Sequence, residues 1–187
     1  MEILLVNACV RPESRTKRLA DYILAKLGGN VEEVNLEKEN ILPLTGKALE
    51  YRSKLATEGK LDDKIFKYAR QFAQADIIVI AAPFWDLSFP ALLKSYIEAI
   101  NIVGIVFEYS PEGKIIGLCR AKKLIYVTAA GGYIPEVNCG FGYISELAEI
   151  LWGIKDLTLV KAEGLDIKGN DVEKILEQSR AEIDRKF

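Results

Sequence analysis

Five short apolar runs, at residues 3–8, 31–36, 77–82, 124–128 and 157–162, are separated by segments whose apolar residues recur at helical spacing. Each run is rich in Val, Ile and Leu and too short for a helix, so each reads as a buried central strand. Strands that alternate with helices pair in parallel, because every crossover returns the chain to the same end of the sheet. The expected fold is therefore α/β, a three-layer, doubly wound, five-stranded parallel sheet. The intervening segments carry the matching stripes. Leu19, Ile23 and Leu27 recur every fourth residue, with Ala20 and Leu24 beside them, before Gly28-Gly29 ends the helix. Leu61, Ile65, Tyr68, Ala69 and Phe72 mark a second helix over 61–75, and Pro90 opens a third carrying Leu93, Tyr96, Ile97 and Ile100. Phe141, Ile144, Leu147, Ala148, Leu151 and Trp152 form a fourth face, closed by Gly153. Val172, Ile175, Leu176 and Ile183 form a last one, capped by Asn170 or Asp171.

Two stretches break the alternation. Residues 36–61 form a long charged connection containing Pro43, Gly46 and Gly59, with one short helix expected around 48–55. Residues 106–115 alternate and then turn at Ser110-Pro111-Glu112-Gly113, which predicts a β-hairpin inserted before the fourth strand of the sheet. No repeat divides the chain, and 187 residues suit one domain, 1–187.

What the chain lacks narrows its chemistry. It has no histidine, which excludes Ser-His-Asp and Cys-His nucleophilic catalysis and a histidine-ligated catalytic metal. Its net charge of −2 lacks the basic excess that nucleic-acid binding uses, so no nucleic-acid partner is expected. No apolar run is long enough for a membrane span, and the start Met-Glu-Ile-Leu-Leu is not that of a signal peptide, so a cytoplasmic protein is expected. Cys9, Cys119 and Cys139 are odd in number and widely spaced, which suits reduced thiols rather than disulfides or a metal site. Redox chemistry supplied by a bound cofactor needs none of the missing groups.

In an open parallel sheet, ligands bind at the carboxyl ends of the strands where strand order reverses. Three loops lie there. The first, Cys9-Val10-Arg11-Pro12-Glu13-Ser14-Arg15-Thr16, leads from a strand into a helix, whose free N–H groups and dipole favour an anion. Ser14 and Thr16 add hydroxyls, while Arg11 and Arg15 add charge. Neither the lysine-bearing triphosphate loop nor the glycine fingerprint of dinucleotide sites is present, so a terminal phosphate is the expected anion; an ordinary polar helix cap is the competing reading. The second loop, Pro83-Phe84-Trp85-Asp86-Leu87-Ser88-Phe89-Pro90, is aromatic and bracketed by prolines, a stiff platform for a flat heterocycle or else filling for a core or subunit interface. The third, Thr128-Ala129-Ala130-Gly131-Gly132-Tyr133, lets backbone approach a ligand closely, or is simply a flexible turn. Together the three describe a site for a mononucleotide with a flat ring, and FMN fits.

The proline-bracketed loop, followed by Leu93-Lys94-Ser95-Tyr96-Ile97-Glu98, resembles the flavin-ring loop and next helix of the flavodoxin-like, FMN-dependent NAD(P)H oxidoreductases of the NADH-azoreductase and quinone reductase group. Gly104-Ile105-Val106-Phe107-Glu108-Tyr109 is similar to that group's lead-in to the hairpin, and the likeness spans nearly the whole chain. The resemblance implies a flavodoxin-like strand order of 2-1-3-4-5. It implies that Arg11, Ser14 and Thr16 hold the FMN phosphate, with Cys9 where the group usually has serine. Pro83, Phe84, Trp85, Asp86 and Leu87 then line the isoalloxazine, and Thr128, Ala130, Gly131 and Gly132 meet its pyrimidine edge. The group typically has tyrosine at the position of Trp85 and asparagine at that of Asp86. An anionic Asp86 beside the ring opposes the build-up of negative charge on it, so either the side chain points away or the redox potential is lowered.

The activity so implied is ping-pong hydride transfer from NADH or NADPH through FMN to a quinone, azo or other aromatic acceptor, with no obligatory side-chain acid or base. Tyr109 and Tyr133 are candidates for proton delivery. The resemblance also implies a homodimer. Two other readings stay open: an electron carrier, against which the near-neutral charge and inserted hairpin speak, and a binding module that has lost the flavin, to which Cys9 and Asp86 point.

Overall fold

The computed structural model describes residues 1–187. Seven strands form: β1 (Glu2–Asn7), β2 (Asn30–Asn35), β3 (Ile77–Ala81), β4 (Phe107–Tyr109), β5 (Ile115–Gly117), β6 (Lys123–Ala129) and β7 (Asp156–Ala162). Five make one parallel sheet in the order β2-β1-β3-β6-β7, which is the expected 2-1-3-4-5 when the hairpin strands are set aside. The helices are α1 (Arg15–Leu27), α2 (Gly46–Thr57), α3 (Lys67–Gln74), α4 (Ala91–Ile100), α5 (Phe141–Leu147) and α6 (Val172–Lys186).

Period-two alternation splits the core in two. Ile3, Leu5, Val79, Ile125 and Val127 point to one face, where Leu19 and Ile23 of α1 and Leu176 and Ile183 of α6 cover them. Leu4, Val6, Ile78, Ile80, Leu124 and Tyr126 point to the other, under Phe72 of α3, Leu93 and Ile97 of α4 and Ile144 of α5. Both faces of the central strands are thereby dry, which is why those strands read as unbroken apolar runs.

Two runs depart from the expectation of central strands: the run at 157–162 forms β7 at one edge, paired with β6 alone and buried only at Val160 and Ala162, and the run at 31–36 lies at the other. The latter forms β2, paired with β1 alone, and Asn30, Val31, Glu32 and Glu33 are exposed. Only Val34 and Leu36 of that run reach the core, since Glu32 and Glu33 cannot be buried unpaired. The helix expected over 61–75 is also interrupted. Asp63 caps a single tight turn, Lys64–Phe66, and α3 begins only at Lys67. The Arg70 guanidinium donates to the carbonyls of Leu61 (2.6 Å) and Asp63 (2.8 Å), holding that entry in place of a regular first turn.

Beyond α5 the chain widens into a π turn over Ala148–Trp152 and stops at Gly153, whose φ of 73° is left-handed. This carries Trp152 fully inside, where its indole N–H donates to Asn101 Oδ1 at 2.8 Å and its ring meets Phe72 edge-on. The β4–β5 pair is a separate antiparallel hairpin, its turn closed by Ser110, whose Oγ accepts from the N–H groups of Glu112 and Lys114. The hairpin rests on the π turn at Gly117. A Cβ there would lie 2.3 Å from the Gly153 nitrogen.

Candidate functional site

A cleft of about 690 Å³ opens at the carboxyl ends of β1, β3 and β6, lined by residues 10–16, Pro83, Phe84, Trp85, Ala129, Gly131 and Asp166. Its first wall is the turn between β1 and α1. Ala8 still donates to Ala81 O (2.9 Å), and Asn7 Oδ1 accepts from the Cys9 N–H (2.9 Å), so the chain leaves the sheet at Cys9. Ser14 caps α1, its Oγ accepting from Lys17 N–H at 3.3 Å. The backbone N–H groups of Val10, Arg11 and residues 13–16 donate to no group of the protein. Several donors beside two arginines and the positive end of a helix make a cradle for an anion. Ser14 and Thr16 are buried in its floor.

The second wall prolongs β3. Phe84 N–H donates to Ala129 O (3.0 Å), and Trp85 and Ser88 then exchange both backbone hydrogen bonds (3.1 and 2.8 Å) around a two-residue turn. Asp86 (φ 50°) and Leu87 (φ 63°) both sit in the left-handed region, the conformation of a primed hairpin turn. Aspartate tolerates it; for leucine it costs about 1–2 kcal/mol. Two bonds from the neighbouring loop hold the turn: Cys139 N–H donates to Leu87 O (3.0 Å), and Ser88 Oγ donates to Cys139 O (3.1 Å). The N–H groups of Asp86 and Leu87 have no acceptor within the chain.

The third wall follows β6. The carbonyls of Ala130, Gly131 and Gly132 accept from Leu165, Asp166 and Gly164, which ties this loop to the one after β7. The N–H groups of Gly131 and Gly132 stay free. Gly131 leaves room for Asp166: a Cβ would fall 2.2 Å from Asp166 Oδ2 and displace that carboxylate. Thr128 is buried just beneath, and its Oγ1 has no partner in the protein.

Of the residues singled out from sequence, Arg11, Ser14, Thr16, Pro83, Phe84, Trp85 and Gly131 line one cleft. Thr128 and Ala130 lie buried at its margin, Asp86 and Leu87 at the turn tip, and Gly132 exposed beside Gly131. Cys9 is placed differently. Its thiol is buried and donates toward Ala81 O at 3.6 Å, and burial pushes its pKa up. Tyr109 projects from the hairpin and Tyr133 packs over Gly164, both largely exposed and neither among the residues lining the cleft. Sequence reasoning missed Asp166. Arg15 Nη1 donates to its Oδ1 at 2.8 Å and to Leu165 O at 3.2 Å, and the guanidinium holds the carboxyl below its usual range. The loop after β7 carries Gly164 and Gly169 but no aromatic residue, and neither glycine singles out Asp166.

The model of the flavodoxin-like fold family matches residues 1–187. The FMN-dependent NADH:quinone oxidoreductase 2 of Clostridium acetobutylicum is 41% identical over 187 residues, covering 94% of this chain and 92% of the relative. The FMN-dependent NADH:quinone oxidoreductase of Clostridium beijerinckii is 40% identical over 187 residues, covering 95% and 93%. Among solved structures, an azoreductase from Bacillus anthracis strain Sterne superposes with a TM-score of 0.86 at 27% identity, over 100% of both chains.

Proposed function

The chain belongs to the flavodoxin-like fold family, and from that premise we propose that it is an FMN-dependent NADH:quinone oxidoreductase that also reduces azo and other aromatic acceptors. One observation carries the reading: a cradle of free N–H groups, an aromatic turn and a glycine edge border a single cleft. The cleft suits FMN on its own terms. The donors at 10–16 with Ser14 and Thr16 fit a phosphate, Phe84 and Trp85 offer aromatic surface to a flat ring, and the free N–H groups of Asp86, Gly131 and Gly132 fit the acceptors along its edge.

FMN, when bound, supplies the hydride chemistry, accepting from a nicotinamide and donating to the acceptor. The protein's part is to bind, orient and shield. Residues 10–16 would hold the phosphate, and Phe84, Trp85 and the turn after them would orient the ring. That turn is stiffened by its two bonds to Cys139, so its N–H groups are preorganised rather than recruited. Trp85 is partly exposed in the cleft lining, on the side from which donor and acceptor would approach in succession.

NADPH serves as donor beside NADH in this reading, residues 1–187 act as one domain, and the free thiols suit a reducing compartment such as the cytoplasm. A homodimer fits the exposed Trp85 and Leu87 of the aromatic turn and the exposed Tyr133 and Val137 of the loop after β6. The test is direct. Purified protein should be yellow, should bleach with NADH in the absence of air, and should regain colour with a quinone; Ser14→Ala with Thr16→Ala should weaken FMN retention. A colourless protein that does not retain added FMN refutes the proposal.

A further inference from the structure

We infer that Asp166 is an internal counter-anion of the cradle, a carboxylate that occupies Arg15 and sets the affinity of the cleft for a phosphate lower than its donors alone would give. The inference rests on the reading of the cleft as an FMN site. Arg15 is the first residue of α1, beside the free N–H groups, yet its Nη1 is committed to the loop after β7 through Asp166 Oδ1 (2.8 Å) and Leu165 O (3.2 Å). The carboxylate is held in place by its own backbone. Asp166 N–H donates to Gly131 O at 2.9 Å, and Oδ2 lies directly over Gly131, in the space a Cβ would fill. It therefore lines the cleft rather than merely flanking it.

The charge count follows. Arg11 and Arg15 are balanced by Glu13 and Asp166, so the lining is neutral, and without Asp166 it carries one net positive charge. A phosphate monoester brings about −1.5 to −2 at neutral pH, so it is repelled by Asp166 and gains little from an arginine already paired. Arg15 is three-quarters shielded but Asp166 is 65% exposed, which limits the effect to the range of partly solvated pairs.

Asp166→Asn keeps the shape and the acceptor and removes the charge. Titrated at low ionic strength by quenching of flavin fluorescence, it should bind FMN about fivefold more tightly than wild type. Riboflavin, which lacks the phosphate, should bind both proteins alike. Arg15→Gln, which leaves Asp166 uncompensated, should weaken FMN binding, and the double variant should return to within about twofold of wild type. Weaker or unchanged FMN binding by Asp166→Asn overturns the inference, since it would mean that the carboxylate aims Arg15 at the phosphate or plays no part. An equal gain for riboflavin overturns it too, by moving the effect from charge to loop conformation. Wild-type protein that binds neither flavin would instead remove the FMN reading itself, and this inference with it.

Discussion

Gly117→Ala should be among the most costly small substitutions in this protein. The added Cβ would stand 2.3 Å from the Gly153 nitrogen, 2.4 Å from the Trp152 carbonyl carbon and 2.6 Å from the Gly153 Cα. All three are backbone atoms of the π turn, so no side chain can swing aside; the hairpin must lift by about 1 Å to restore ordinary contact. Lifting it loosens the seat of Trp152, the largest fully buried side chain. Overpacking of this kind costs about 1–3 kcal/mol, and the backbone contacts put this case at about 2–3. For a chain of this size that is a fall in Tm of about 5–10 °C. Gly142→Ala is the matched control. It lies in α5 with nothing within 4 Å of its Cβ position, so the same chemical change should raise stability by about 0.5 kcal/mol through helix propensity. Calorimetry or thermal circular dichroism on both variants decides it. If Gly117→Ala melts within a degree of wild type, the hairpin does not rest on the π turn as described.

Two further outcomes follow from the charges and thiols. Asp166, Glu173 and Asp184 are held below their ordinary pKa values of 3.8, 4.5 and 3.8 by bonds from Arg15, Arg18 and Lys26, which link α1 to α6 and the loop before it. Depressed carboxylates stabilise the fold above those values and lose that contribution as pH falls through the folded ones, so Tm should hold steady from pH 7 to about 5 and drop below about 4. A Tm that rises on acidification to pH 3.5 would contradict this. Against a thiol reagent at neutral pH, exposed Cys139 should react first, half-buried Cys119, its pKa pushed up to about 12, more slowly, and buried Cys9 only on unfolding. Fast reaction of Cys9 in native protein would show the core to be open.

Much of this was legible in the chain because it is locally encoded. The runs around Leu4, Ile78 and Leu124 announce buried strands by composition alone, and the three loops at their carboxyl ends are recognisable by residue type. The remainder depends on partners far away in sequence. That β2 lies at the edge follows from what fails to cover Glu32 and Glu33, and the π turn at Ala148–Trp152 follows from where Asn101 and Phe72 meet Trp152. Asp166 enters the cleft because the loop after β7 bonds to the carbonyls of residues 130–132, a register that no local pattern specifies. The left-handed Leu87 runs against its own propensity and is held by Cys139, so no turn signal predicts it.

The walls of the cleft come from residues 10–16, 83–85, 129–131 and 166, and its Arg15–Asp166 tie spans 151 positions. No short fragment of the chain contains such a site, because its three walls follow β1, β3 and β6. Ligand binding energy therefore accrues only to states in which β1, β3 and β6 are docked, and the cofactor acts as a selective weight on folding: a chain whose central strands have not paired has nothing to hold it with. Retention of flavin would report docking of the three central strands, and saturating ligand would suppress openings that separate β1, β3 and β6 as strongly as it suppresses global unfolding.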